Sequence, residues 1–148
     1  MSPANTVLIG TGDVLQGAPL GNFATQSWSA DPSAVHPMIA EMNELRYDAG
    51  TLGNQDFNYG LDFLEAALGC AISPILNFNV LKPDGDCYVK PWVILERSLK
   101  DDSGGVRTLR LGEIGFVTKP RLRRVPRRAW RAGFLNPRTL LGFPLKWS

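Results

Sequence analysis

A chain of 148 residues is sized for one domain with an extension, or for one larger domain. Its apolar share of 44% suits a globular chain, and no uninterrupted apolar run approaches the ~18 residues of a membrane span, so a membrane partner is not expected. The net charge of +2 hides a division: residues 1–118 carry −7, while residues 119–148 carry +9 and no acid. Fifteen Gly and eleven Pro, with 20% charged residues, point to much irregular structure held in place by neighbouring subunits.

The N-terminus has neither a basic stretch nor a long apolar one, so no secretory signal is expected. Thr6–Ile9 is a short apolar run. Gly10-Thr11-Gly12-Asp13 reads as a turn, and Val14-Leu15 as the start of a second strand, making a small hairpin. The rest of segment 1–30 is rich in Gly, Ala, Ser, Asn and Pro and is expected to be extended, anchored by Leu20, Phe23 and Trp28.

Residues 31–118 are read as an α+β body. A helix follows Asp31 or Ser33 as its cap, with Pro32 or Pro37 in its first turn. Met38, Ile39, Met42 and Leu45 share one face, and Gly50 is the expected stop. A second helix is predicted over Tyr59–Leu68, capped by Asn58 and ended by Gly69. Strands then follow. Leu76, Phe78 and Val80 alternate with Asn77 and Asn79, and Lys82-Pro83-Asp84-Gly85 is a turn. Cys87–Arg97 is a strand, Lys100–Gly105 a second turn, and Val106–Thr118 a strand broken at Gly112 or Gly115. The expected fold is thus a small α+β domain with two short helices, an antiparallel meander, an extended N-terminal segment and a C-terminal arm.

No motif for catalysis, metal or cofactor emerges. His36 is the sole histidine and lies at a helix start without a marked partner, which reads as structural. One His with Cys70 and Cys87 makes no usual zinc site, and both cysteines read as free, partly buried thiols. Gly10-Thr11-Gly12 fits no phosphate-loop spacing. Asp84-Gly85-Asp86 lacks the further ligands of a calcium loop, and Asp101-Asp102 reads as a solvated turn. The chain is accordingly expected not to be an enzyme and to need no cofactor.

The arm, residues 119–148, supplies the candidate contact residues. Arg121, Arg123, Arg124, Arg127, Arg128 and Arg131 dominate its first part, with Pro120 and Pro126 preventing a continuous helix. Arginine binds carboxylate and phosphate through paired hydrogen bonds and stacks on rings. Trp130, Phe134, Phe143 and Trp147 then give four aromatics in the last nineteen residues. Such rings are costly to leave in water and favour a protein dock over a free tail. Docking on another subunit, folding back on the chain's own acidic body, and contact with nucleic acid all remain open.

The opening Val7-Leu8-Ile9-Gly10-Thr11-Gly12-Asp13-Val14, followed by a Gly- and Pro-rich stretch, resembles the start of some tailed-phage virion proteins. That resemblance implies a structural assembly protein of a phage tail, neck or capsid. Its partners would be copies of itself and other structural proteins, joined through the terminal arms by complementary burial. Its place would be the virion, assembled in the host cytoplasm, or the cytoplasm itself. A nucleic-acid-binding protein using segment 119–131 is the alternative.

Overall fold

The computed structural model describes residues 5–30, 33–118 and 133–134. Chain order is β1 (Ile9–Gly10), α1 (Pro19–Ala30), α2 (Pro37–Glu44), β2 (Ala49–Thr51), α3 (Leu61–Leu68), β3 (Ile75–Leu76), β4 (Val80–Leu81), β5 (Trp92–Lys100), β6 (Val106–Ile114) and β7 (Gly133–Phe134). Among the described residues the fold is small and mixed α/β, with three helices and both parallel and antiparallel sheets.

The expected N-terminal hairpin does not form. β1 instead pairs in parallel with β2, and β2 in parallel with β3, giving a sheet of order β1-β2-β3. Parallel neighbours need crossover connections, and the helices supply them. Residues 19–30, expected to be extended, form α1. Its inward face is Gly21, Ala24, Thr25 and Trp28, which share one side at helical spacing and are all buried. Small residues make that stripe, so an apolar-periodicity reading passes over it.

His36 caps α2, not Asp31 or Ser33: its Nδ1 accepts the Met38 N–H at 3.2 Å, and Pro37 opens the helix. Ile39 and Met42 are buried as their spacing predicts, whereas Leu45 is exposed. The helix stops at Glu44, not near Gly50. Arg46 turns to φ +55°, its N–H reaches Asn43 O at 3.1 Å, and the Tyr47 N–H reaches Met42 O at 3.1 Å. These are the paired closing bonds of a Schellman end, here with Arg where Gly is usual. Gly50 is freed to serve in β2, where a Cβ would sit 3.0 Å from Ile75 Cδ1 and 3.3 Å from Met42 Cε.

α3 runs from Leu61, with Gly60 rather than Asn58 at its cap, and ends at Gly69 as expected. The antiparallel expectation holds for β5 and β6, which pair over nine residues from Trp92↔Ile114 to Lys100↔Val106. The strand expected across Leu76–Val80 is divided: β3 joins the parallel sheet and β4 pairs with β7. Asn77 makes the bend, accepting the N–H groups of Asn79 (3.1 Å) and Val80 (2.8 Å) on its Oδ1. The 82–85 turn is present, closed by Gly85 N–H to Lys82 O at 3.0 Å with Gly85 at φ +96°.

The main core gathers Leu15, Trp28, Ile39, Met42, Leu52, Phe57, Leu64, Ala67, Val80 and Val117. A smaller cluster of Ala49, Leu76 and Leu95 lies between the parallel sheet and the β5–β6 hairpin. Asp48 ties these regions together: Oδ2 accepts the Leu8 N–H at 2.8 Å, and Oδ1 is paired with Arg97.

Candidate active site

Two loops leave the carboxyl ends of neighbouring parallel strands. One follows β1 through Gly12, Asp13 and Gln16. The other follows β2 through Gly53, Gln55, Asp56 and Tyr59. Ligands of open α/β sheets bind in the crevice outside such strand ends.

The loops are tied by reciprocal carboxylate caps. Asp56 Oδ2 accepts the N–H of Asp13 and of Gly53, each at 2.8 Å, and Oδ1 accepts the Leu15 N–H at 3.0 Å. In return, Asp13 Oδ1 accepts the Gln55 N–H at 2.7 Å. Asp56 is 1% exposed, so both its oxygens are committed to backbone donors inside the fold. Burial pushes its carboxyl above the usual range, against the pull of those three donors and with a smaller push from the Asp13 charge. Asp13 is half-buried and held at φ +58°, a conformation uncommon for a residue with a side chain.

This crossing requires glycine on both sides. Gly12 has φ +87°, and a Cβ there would fall 2.6 Å from Gly53 Cα. A Cβ on Gly53 would collide with the Asp13 carboxylate and its backbone. Outward of this contact lies an uncharged rim. The Asn58 Nδ2 donates to Gln16 Oε1, and the Gln16 Nε2 donates to the Tyr59 hydroxyl at 3.4 Å. The Gln55 amide lies over Gly17, where its Oε1 is 3.0 Å from the position a Cβ would take.

His36 stands apart as a packed structural group. It is 0% exposed, and its ring stands edge-on to Trp28 at 5.2 Å. Because Nδ1 accepts from Met38, Nε2 carries the proton and donates to Thr25 Oγ1 at 3.2 Å. Thr25 in turn donates to Leu15 O at 2.9 Å. Burial lowers the His36 pKa. Cys70 is exposed and Cys87 partly buried, and both are free thiols.

Of the contact residues expected from sequence, Arg121, Arg123, Arg124, Arg127, Arg128, Trp130, Arg131, Phe143 and Trp147 lie outside the described residues. Phe134 is placed by its backbone alone, opposite Val80 in the β4–β7 pair. The loop pair just described was not expected as a site. Its signal was present as two Gly-x-x-Asp segments, 10–13 and 53–56, but neither has a recognised phosphate-loop spacing.

No family model matches the chain. Comparison with individual proteins finds similarity to phosphoesterases and nucleotidases. The chain is 46% identical over 116 residues to the trifunctional nucleotide phosphoesterase YfkN of Bacillus subtilis, covering 76% of this chain and 8% of YfkN. It is 42% identical over 115 residues to the 2',3'-cyclic-nucleotide 2'-phosphodiesterase/3'-nucleotidase of Salmonella typhimurium, covering 76% of this chain and 18% of that protein. The crystal structure of YfkN, a calcineurin-like phosphoesterase, matches with a TM-score of 0.68 at 46% identity, over 76% of this chain and 35% of that one. The chain thus spans less than a fifth of the length of these curated relatives.

These relatives overturn the phage reading. They are phosphoesterases and nucleotidases, not virion proteins, so the expected assembly role, the virion location and the expectation of no enzyme all fall. The nucleic-acid-binding alternative gains no support from them either. The physical reason is local: Gly10–Asp13 is not a hairpin turn between arms but the strand-to-loop exit of a parallel sheet.

Proposed function

We propose that this chain forms part of a phosphoesterase acting on nucleotide phosphate esters, with the crossed loops 10–17 and 51–60 at its site. The observation that carries this reading is the 46% identity over 116 residues to a nucleotide phosphoesterase. The position of the loops, outside the carboxyl ends of β1 and β2, supports it.

Phosphate-ester cleavage asks a protein chiefly for positioning and for preorganised charge. The Asp56 cap fixes the path of residues 13–15, and the Asp13 cap fixes residue 55. Asp13 keeps a second carboxylate oxygen that no hydrogen bond among the described residues takes up. The one histidine of this chain is buried with both ring nitrogens bonded, so in this arrangement its imidazole is not placed to exchange a proton with a substrate. Many phosphatases use a pair of metal ions. Among the described residues, no three of His, Cys, Asp or Glu are grouped to hold one, and both Asp56 oxygens already serve backbone donors. The described residues alone do not fit such a centre.

The test is turnover. The purified chain is incubated with adenosine 2',3'-cyclic phosphate, 3'-monophosphate and 5'-monophosphate, and ester cleavage is followed. Cleavage of at least one, lost in Asp13→Ala, is expected. A chain that cleaves none of the three would refute the reading.

A further inference from the structure

The β5–β6 hairpin has two faces, and among the described residues only the inner one is covered. Val93, Leu95 and Leu111 lie on that inner face and pack with Ala49 and Leu76. Side chains alternate along a strand, so Trp92, Ile94 and Ile114 lie on the outer face, where Trp92 is paired with Ile114. Trp92 is 54% exposed, Ile94 44% and Ile114 47%. Phe116, also exposed, extends this patch, with its ring 5.8 Å from that of Phe78. The unbroken run Trp92-Val93-Ile94-Leu95 puts apolar side chains on both faces, the pattern of a sheet covered on both sides. An exposed patch of this kind marks a contact surface. The outer face also has a shape and a charge pattern. Gly112 stands opposite Ile94, and a Cβ added there meets no atom within 4 Å, which leaves a notch beside an exposed branched side chain. Glycine inside a strand often marks the close approach of another group. Next along the same face, Glu96 stands opposite Arg110, with Nε and Oε1 3.2 Å apart and both side chains well exposed.

We propose that this outer face is the interface of a two-fold dimer of the chain. The axis runs along the hairpin, between β5 and β6. Each side chain then meets, on the partner, the residue that it faces across its own hairpin. Ile94 enters the notch at the partner's Gly112, and the partner's Ile94 enters the notch here. Trp92 covers the partner's Ile114. Glu96 meets the partner's Arg110, and Arg110 meets the partner's Glu96. Farther out, Lys100 meets the partner's Val106, so no like charges are opposed. Reciprocal contacts of this kind are what a two-fold interface requires. The strands of the two hairpins run nearly aligned, as in packed sheets generally. Another occupant would need its own bulge and its own charges at the right places. A second copy brings both by symmetry.

Sedimentation equilibrium of the full chain tests this. A two-stranded face is at the small end of specific interfaces, so a Kd on the order of 10 µM is expected. Concentrations on both sides of that value are measured. Gly112→Leu fills the notch, and the open space around Gly112 lets the monomer fold with it, which circular dichroism checks. Trp92→Ser removes an exposed ring that the fold does not need. Each is expected to raise the Kd about tenfold or more. Glu96→Arg opposes like charges across the interface and also raises it, whereas adding Arg110→Glu to Glu96→Arg restores it. A native chain that stays monomeric at every concentration overturns the proposal. So does a dimer unaffected by either Gly112→Leu or Trp92→Ser, or a double charge swap no tighter than Glu96→Arg.

Discussion

Asp13 and Asp56 cap each other's loops: the Asp13 N–H donates to Asp56 Oδ2 at 2.8 Å, while Asp13 Oδ1 receives the N–H of Gln55, the neighbour of Asp56, at 2.7 Å. Neither loop has its observed path without the other. The geometry of the proposed site is therefore a property of the pair.

Removing the buried carboxylate is expected to be severe. Asp56→Ala leaves the N–H groups of Asp13, Leu15 and Gly53 without their acceptor. At about 1–3 kcal/mol for each buried donor left unpaired, a loss of about 3 kcal/mol or more is expected. Urea unfolding followed by circular dichroism measures it. A loss under about 1 kcal/mol would show that water takes over the cap.

Glycine substitutions separate steric need from backbone conformation. Gly53→Ala places a methyl against the Asp13 carboxylate and backbone, and is expected to cost about 3 kcal/mol or more. Gly85→Ala, at φ +96° with open space around it, is expected to cost only about 1–2 kcal/mol of backbone strain. Thermal unfolding of both variants ranks them, and equal losses would contradict the tight crossing.

Acid is expected to weaken the fold through His36. In the unfolded chain its imidazole titrates at 6.5, and in the fold burial lowers that value. Between the two values the unfolded state binds more protons, so stability is fully present above about 6.5 and falls as pH drops through the window. Urea midpoints at pH 7.5 and 5.5 test this. His36→Asn can still cap α2, and it should flatten the difference. An unchanged slope in the variant would assign it to other groups.

The hairpin anchor should respond unequally to its two partners. Arg97→Ala removes one half-exposed end of a pair and is expected to cost about 1 kcal/mol or less. Asp48→Ala also strips the half-buried Leu8 N–H of its acceptor, so about 2–3 kcal/mol is expected. A double-mutant cycle in urea checks the order, and a larger loss from Arg97 would reverse the assignment.

Parts of this fold were legible in the sequence for plain reasons. β5 and β6 are long, rich in β-branched and apolar residues, and joined by a Gly-containing turn. α3 carries Leu64 and Ala67 at helical spacing and ends on glycine. α1 was illegible because its buried stripe uses Gly21, Ala24 and Thr25, which no hydrophobicity reading weighs. The parallel sheet was illegible because its strands are two or three residues long and their pairing is set by partners 40 and 25 residues away. The candidate site was hidden for a related reason: Asp13 and Asp56 are 43 residues apart, and nothing in either segment announces the other. The basic arm stands out in the sequence because charge is visible in one dimension, whereas the crossing of two loops is visible only in three.

The rings of Tyr59, Phe63, Trp28 and His36 follow one another at 5.0, 5.1 and 5.2 Å. That ladder is also an optical line. Light absorbed by Tyr59 at its open end lies within short transfer distance of the Trp28 indole, whose Nε1 is pinned to Ala34 O at 2.6 Å. With Trp92, Trp130 and Trp147 replaced by phenylalanine, the emission of the buried Trp28 indole thus carries news from both ends, of the surroundings of Tyr59 and of a proton gained at His36, with no label attached.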